Sequence, residues 1–177
     1  MILTDLANGE SVFLDANILV YHFTPHPQYG QACQDLIQRV ENRALLGYTS
    51  TAVLSELAHH LMTFEASAVF GWTSKVVQHL RHSPSAVMQL SKFHQSLVEV
   101  PKLGIRILTI PESLIETAAM LSRQTGLLSN DALIVALVQA NGLNKLASHD
   151  ADFDRVPGLT RYAQPFQHGF SASSIRR

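Results

Sequence analysis

The sequence is short of cysteine, net charge and long apolar runs, and each shortage excludes a class of protein. Its one cysteine, Cys33, excludes an intramolecular disulfide and a thiolate metal cluster. A formal net charge of −1 gives no general attraction to nucleic acid, although it leaves room for a local basic patch. No stretch approaches the roughly 20 uncharged apolar residues that span a bilayer, and the start MILTDLANGE lacks the pattern of a signal peptide. We therefore expect a cytoplasmic protein with no membrane association.

Core-forming residues are plentiful. The chain has 177 residues, of which 46% are hydrophobic and only 15% are charged, so it can bury a sizeable core and is not disordered. We expect a single domain over residues 1–177, with a helical insertion at residues 65–100 and a loose C-terminal tail at residues 165–177.

Short apolar segments alternate with helical patterns along the chain. The sequence predicts strands at 11–15, 45–48, 105–110, 145–148 and 159–162, and a helix over 31–42. It also predicts a helix capped by Thr49, Ser50 or Thr51, one beginning at Pro111 and ending at Gly126, and one capped by Ser129 or Asn130 and running to Gly142. Strands alternating with helices indicate an α/β fold with a parallel sheet covered on both faces.

The insertion at residues 65–100 is helical in pattern, with breaks near Gly71 and at Ser83–Pro84. It contains the only tryptophan, Trp72, and several basic residues. It either extends the core as a helical hairpin or forms a contact surface for a dimer, a partner or RNA, and the structural interpretation is slightly favoured.

Asp15 stands in the middle of the apolar stretch VFLDANILVY, where a carboxylate should be expensive. It comes at the end of the first predicted strand. Because ligands of parallel sheets bind beyond the carboxyl ends of the strands, Asp15 can emerge at the rim of the sheet rather than inside it. The alternative is a carboxylate hydrogen-bonded to the turn after its strand.

Further acids follow predicted strands or begin predicted helices. Asp131 lies in the first turn of the apolar helix in SNDALIVALVQANG, where the free N–H groups alone would explain it. Asp150 and Asp152 follow the strand that ends in LAS, whereas Asp154 reads as a solvated turn residue. Glu56 lies on a helix, away from its apolar face, and is either solvated or lines a cleft.

Several carboxylates at one rim would repel each other unless a cation lay among them. Mg²⁺ and Mn²⁺ take oxygen ligands, and Mg²⁺ retains several waters and few carboxylates. An ion held in this way can activate water for attack on a phosphodiester. The acids therefore suggest a metal site at the edge of the sheet.

Four stretches in this order resemble the four acidic blocks of the PIN-domain nucleases, most closely VapC-type toxins of type II toxin–antitoxin pairs: FLDANILVY, STAVLSELAHHL, LLSNDALIVALVQANG and KLASHDADFDRVPGL. The resemblance extends from about Val12 to Leu159. It implies a PIN-like three-layer α/β/α fold with a short, mainly parallel sheet, and Mg²⁺- or Mn²⁺-dependent cleavage of RNA, often tRNA or rRNA. It also implies a homodimer and a protein antitoxin.

Carried over residue by residue, the resemblance assigns the catalytic acids to Asp15, Glu56, Asp131 and Asp150. Of these, Asp15, Asp131 and Asp150 would bind the metal. Asn17, Ser148 and Asp152 would support them, and Asp152 is also an alternative to Asp150. The insertion at residues 65–100 makes the chain longer than a compact toxin of this family.

Other interpretations remain open at this stage. Glu56 and His59 form one Glu-x-x-His unit, but a di-iron bundle needs two, and His79 with His82 lacks a third ligand. Asp15-Ala16-Asn17 resembles the Asp-x-Asp of aspartate-nucleophile phosphatases, with Asn17 in the place of the general acid. A PIN-like module that binds RNA or protein without catalysis is the third possibility.

Overall fold

The protein is built on a five-stranded, fully parallel sheet. The computed structural model describes residues 1–164, so the predicted tail at residues 165–177 lies outside the described residues. The strands are β1 (Ser11–Leu14), β2 (Leu46–Ser50), β3 (Arg106–Leu108), β4 (Lys145–Ala147) and β5 (Thr160–Tyr162). Their order across the sheet is β3-β2-β1-β4-β5, and every neighbouring pair is parallel. The predicted α/β class and parallel sheet are confirmed.

Eight α-helices lie between or after these strands in the part of the chain that the structure describes. They are α1 (Ala16–Phe23), α2 (Gly30–Glu41), α3 (Thr51–Phe70), α4 (Val76–His82), α5 (Pro84–Val87), α6 (Lys92–Glu99), α7 (Ser113–Thr125) and α8 (Ser129–Ala140). Among them, none combines the length and hydropathy required to span a bilayer.

The strand order places helices on both faces of the sheet. The chain moves from β1 to β2 to β3 in one direction and then returns past β1 to β4 in the other. Since crossovers between parallel strands are right-handed, opposite directions put the connecting helices on opposite faces. The helix contacts agree, because α1 packs on α2 and α3 while α7 packs on α8. The central strand β1 is sealed between the layers, with Val12, Phe13 and Leu14 fully buried.

Several predicted boundaries are confirmed. Ser50 caps α3 by accepting a hydrogen bond from the Val53 N–H at 3.2 Å. Gly126 ends α7 with a φ of 72°, a left-handed conformation that glycine adopts without the steric cost of a side chain.

Three predictions at helix starts are wrong or incomplete. The segment after Asp15 is the helix α1, which the apolar run did not reveal, and β1 ends at Leu14. The helix α7 begins at Ser113, since Pro111 belongs to the preceding turn, where its carbonyl accepts from the Leu114 N–H. The N-cap position of α8 is Leu128, which has an extended backbone and makes no capping hydrogen bond with its side chain. Ser129 and Asn130 therefore lie inside the helix.

The predicted insertion is helical and is broken where expected. It comprises the end of α3 together with α4, α5 and α6. Its interior is a second, small apolar cluster of Ala66, Leu80 and Leu90, against which partly buried side chains pack: Met62, Phe70, Trp72, Val76, Val87 and Phe93.

Glu65, on α3, holds the start of α6 in place within this insertion. Its buried carboxylate accepts hydrogen bonds from the backbone N–H groups of Ser91, Lys92 and Phe93, at 2.9, 3.0 and 3.1 Å. Burial alone would raise the pKa of Glu65, but the three N–H donors outweigh it and lower the pKa overall. The carboxylate thus caps α6 from a different helix, which is a tertiary substitute for a local N-cap.

Replacing Glu65 with alanine should destabilise the insertion, because three N–H groups of α6 lose their acceptor. We expect a loss of about 2–4 kcal/mol in the free energy of unfolding, measured by urea denaturation with Trp72 fluorescence. Glu99→Ala, which removes an exposed acid of α6, should cost about 0.5 kcal/mol or less. Equal losses in the two variants would contradict this role of Glu65.

Candidate active site

Asp15 sits at the carboxyl end of the central strand, where it caps α1. Its side chain is only 6% exposed. One carboxylate oxygen accepts from the Ala16 N–H at 2.7 Å, and the other accepts from Asn17 Nδ2 at 2.7 Å and from the Ser148 hydroxyl at 2.6 Å. The hydrogen bond from Ala16 agrees with the alternative drawn from the sequence, in which the carboxylate is bonded to the turn after its strand. The two added side-chain donors show that the position is built around a charged group.

Ser148 and Asn17 join the ends of β1 and β4. Ser148 follows β4 and is fully buried, and its hydroxyl also lies 3.1 Å from Asn17 Nδ2 and accepts from the Asp150 N–H at 3.0 Å. Asn17 in turn accepts from the His149 N–H at 3.1 Å. These bonds hold the segment that carries Asp150 against the segment that carries Asp15. They lie where the strand order reverses beside β1, which is where open parallel sheets bind ligands.

The segment after β4 distinguishes its three aspartates. Asp150 is exposed and caps a short 3₁₀ helix, accepting from the Asp152 N–H at 2.8 Å. Asp152 forms an ion pair with Arg155 at 2.6 Å. Asp154 is exposed, as the sequence predicts, and it also accepts two hydrogen bonds of 2.8 Å from Arg161, which anchor this segment.

Asp131 and Glu56 approach the same edge from two different helices. Asp131 is half-buried in the first turn of α8, and Glu56 is half-buried in the second turn of α3. A depression between the two helices is lined by Glu56 and by Asn130, the neighbour of Asp131. Glu56 also lies 3.5 Å from the imidazole of His60, one helical turn further along α3.

The pKa values report that these acids influence one another. Burial, together with the charges of Glu56 and Asp131, raises the pKa of Asp15 to about 6 against the opposing hydrogen bonds from Ser148 and Ala16. Burial also raises the pKa of Asp131, followed by the charges of Asp150, Glu56 and Asp152. The five acids named from the sequence therefore belong to one electrostatic cluster.

The cluster is not a preassembled set of direct metal ligands. Within residues 1–164, no group of three His, Cys, Asp or Glu side chains is arranged to hold an ion by itself. The donors are nonetheless carboxylate oxygens, which suit Mg²⁺ and Mn²⁺, and Mg²⁺ normally keeps several waters beside one or two carboxylates. The donor chemistry fits a partly hydrated divalent cation better than a closed cage.

Packing around the site involves side chains that the sequence did not single out. The rings of Tyr21, Tyr29, His26 and His149 form a cluster, with Tyr29 and His149 centroids 4.1 Å apart. Burial lowers the pKa of His149 to about 4, helped by Arg161 and His26, so its ring is neutral at neutral pH. These rings support the backbone between Ser148 and Asp150. Only the adjacency of His149 to the acidic block could have pointed to it.

His60 is a second residue that the sequence did not assign. The hydrogen bond to Glu56 raises its pKa, against a smaller opposing effect of burial, and the charges of Glu56 and Asp15 add to the increase. The acids of the cluster thus favour the protonated form of His60 on α3.

The protein is thus a parallel α/β sheet with carboxylates clustered at its switch point, where open parallel sheets bind their ligands. The sequence profile of the PIN domain matches residues 12–159, and the chain belongs to this family. The match spans all four acidic blocks.

Individual relatives are consistent with this assignment. The chain is 28% identical over 148 residues to Ribonuclease VapC2 of Methanocaldococcus jannaschii, covering 84% of this chain and 90% of the relative. Among solved structures, the fold resembles VapBC2 from Rickettsia felis bound to a DNA fragment from its promoter, with a TM-score of 0.51 and 21% identity, covering 88% of this chain and 99% of that one. It also resembles VapC20 of Mycobacterium tuberculosis, described as a Sarcin-Ricin loop cleaving toxin, with a TM-score of 0.51 and 18% identity, covering 81% and 93%.

Asp15→Asn should change how stability depends on pH. Because the pKa of Asp15 is about 6 in the folded chain, against 3.8 for the ordinary value, folding favours its protonated form. Its contribution to stability is therefore present below about pH 4 and is lost as the pH rises through 6, by about 3 kcal/mol. Asparagine does not titrate, so Asp15→Asn should gain about that much relative to the wild type between pH 4 and pH 7.5.

Urea denaturation of both proteins in chelator measures this difference, since other titrating groups are common to the two. A difference in unfolding free energy that stays constant over this pH range would contradict the raised pKa.

Proposed function

We propose that the protein is a metal-dependent endoribonuclease that hydrolyses RNA phosphodiester bonds, and that it is the toxin of a toxin–antitoxin pair. The observation that carries the proposal is the buried carboxylate of Asp15, which shares its electrostatic environment with Glu56 and Asp131 at the switch point of the sheet. Membership of the PIN family and similarity to a protein named as a ribonuclease support it.

Asp15, Asp131 and Asp150 would hold Mg²⁺ or Mn²⁺, partly through water. When bound, such an ion lowers the pKa of water for attack on phosphorus and stabilises the leaving oxygen. The same ion would relieve the repulsion among the carboxylates, since a buried charge with like-charged neighbours is costly without a cation.

The protein's own groups have separate roles in this proposal. Ser148 and Asn17 fix the orientation of the Asp15 carboxylate through the hydrogen bonds described above. Glu56, which is outside the metal-binding set, would accept the proton of the attacking water as a general base. Asp150 is favoured over Asp152 as the fourth acid, because Asp152 is paired with Arg155 and the Asp150 backbone is held by Ser148.

The phosphatase alternative receives no support from this geometry. Both carboxylate oxygens of Asp15 accept hydrogen bonds, which opposes a role as a covalent nucleophile. Asn17 is occupied as a donor to Asp15 and an acceptor from His149. A catalytically silent module would not need a buried, unpaired carboxylate at the switch point.

The partners follow from the same proposal. The similar structures include VapBC2 and a toxin–antitoxin complex from Klebsiella pneumoniae, with a TM-score of 0.51 and 18% identity, covering 84% of this chain and 95% of that one. We propose a protein antitoxin, a homodimeric cytoplasmic protein and an RNA substrate of the tRNA or rRNA class. The single-domain organisation over residues 1–177 is part of this proposal.

Purified protein should cleave RNA in the presence of Mg²⁺ or Mn²⁺ and stop in chelator. Asp15→Asn, Asp131→Asn and Asp150→Asn should each lower the rate by about 100-fold or more, because each removes a carboxylate from the site. Asp152→Asn is the matched control two residues from Asp150, and it should keep the rate within about fivefold.

Gel analysis of RNA fragments over time measures these rates. Equal losses for Asp150→Asn and Asp152→Asn would refute the assignment of the fourth acid. Binding of RNA without cleavage in either metal would favour the silent module, and a trapped phosphoenzyme would favour the phosphatase.

A further inference from the structure

Within the helical insertion, acidic side chains occur only near its two ends, at Glu65 and Glu99. Residues 66–98 contain none of the 14 acidic residues of the protein, but they contain three of its 13 lysines and arginines: Lys75, Arg81 and Lys92. They also contain three of its nine histidines, His79, His82 and His94. This stretch is therefore net positive because it lacks acids, although the chain as a whole has a formal net charge of −1.

These cations are available to an external anion. Lys75, Arg81 and Lys92 are all exposed, and none of them forms an ion pair with a described residue. The adjacent acid, Glu65, is buried and its carboxylate is occupied by the N–H groups of α6. The exposed surface around Lys75 and Arg81 is therefore cationic, whereas Lys92 also interacts electrostatically with Glu65.

An aromatic stack of Phe70, Trp72 and His79 lies in the same segment as these cations. The Phe70 and Trp72 rings are 4.7 Å apart and tilted by 30°, and the Trp72 and His79 rings are 5.0 Å apart and tilted by 32°. His79 is exposed, and Trp72 is half-buried. Cationic side chains that contact phosphates, combined with aromatic rings on which bases stack, are the two features that proteins use to hold single-stranded RNA.

The helix α3 connects this surface to the acidic site. Positions 56, 60, 63, 67 and 70 recur every three or four residues and share one face of the helix. This face carries Glu56 and His60 at the site, Thr63 and Ser67 between, and Phe70 at the stack. At 1.5 Å per residue, the distance along the axis from Glu56 to Phe70 is about 21 Å, a span that a short stretch of RNA can bridge.

We propose that the acid-free part of the helical insertion, residues 66–98, is a second RNA-binding surface that holds the substrate's backbone while the acidic site cleaves it. This inference rests on the proposed ribonuclease function. The cations bind phosphates without reading sequence, and the stack around Trp72 accepts a base. The surface supplies the electrostatic attraction that the net charge of the protein does not.

The test compares two variants that each lose two exposed positive charges. Lys75→Gln with Arg81→Gln removes charge from the insertion. Arg43→Gln with Arg106→Gln removes it near the amino ends of β2 and β3, the opposite edge from the acidic site. The pairs are matched in backbone, since Lys75 and Arg43 are the two non-glycine residues with positive φ among residues 1–164, at 52° and 58°.

Binding of a 30-nucleotide single-stranded RNA is measured in chelator, so that no metal-dependent cleavage occurs. The insertion variant should bind at least roughly tenfold more weakly than the wild type at 0.1 M salt. The slope of log affinity against log salt should fall by about 1.4, because two phosphate contacts of roughly 0.7 each are lost. The control variant should match the wild type in both quantities.

Trp72, as the only tryptophan, reports on this surface directly. RNA that binds here should quench or shift its fluorescence in the wild-type protein. RNA that binds only at the acidic site, some 20 Å away along α3, should leave the emission unchanged.

Cleavage assays on the same proteins separate the two claims. A wild type that binds the RNA and responds at Trp72 but cleaves nothing overturns the proposed function and leaves this inference intact. An insertion variant equal to the control in affinity and salt slope, with Trp72 emission unmoved, overturns the inference, and it would assign the surface to a protein partner instead.

Discussion

Asp15 is a buried carboxylate that accepts three hydrogen bonds but has no cationic partner among the described residues. Hydrogen bonds from Ala16, Asn17 and Ser148 orient the group, yet they do not offset its burial, since its pKa still rises to about 6. A charge kept in this state is unfavourable for stability and favourable for binding a cation. The surrounding structure leaves this buried negative charge without a compensating positive charge.

The sheet topology explains why the uncompensated carboxylate of Asp15 lies at this edge of the sheet. All five strands are parallel, so their carboxyl ends share one edge, and the order reverses beside β1. Two helices that begin near that edge add Glu56 and Asp131. Bonds from Ser148 connect the ends of β1 and β4, so the position of Asp150 depends on the same hydroxyl that orients Asp15. Fold stability and site geometry are therefore coupled through one buried serine.

Much of this arrangement could be predicted from sequence, because apolar segments of strand length followed by acids mark the carboxyl ends of strands. The helix α1 could not, since the residues of NILVY suit a strand and a helix equally and only the cap at Asp15 separates them. The pairing of Asp154 with Arg161 and the ring contact between Tyr29 and His149 depend on three-dimensional packing, which periodicity does not encode. The helical character of residues 65–100 followed from their pattern, but the hydrogen bonds from Ser91, Lys92 and Phe93 to Glu65 depend on where α6 lies in three dimensions.

The central claim is that Asp15, Glu56, Asp131 and Asp150 surround one divalent cation. The most direct test is an anomalous difference map from crystals soaked in Mn²⁺. The account predicts a manganese peak within coordination distance of Asp15 and Asp131, with water completing the shell. A map without a peak at this edge of the sheet, or with manganese bound only elsewhere, would contradict it.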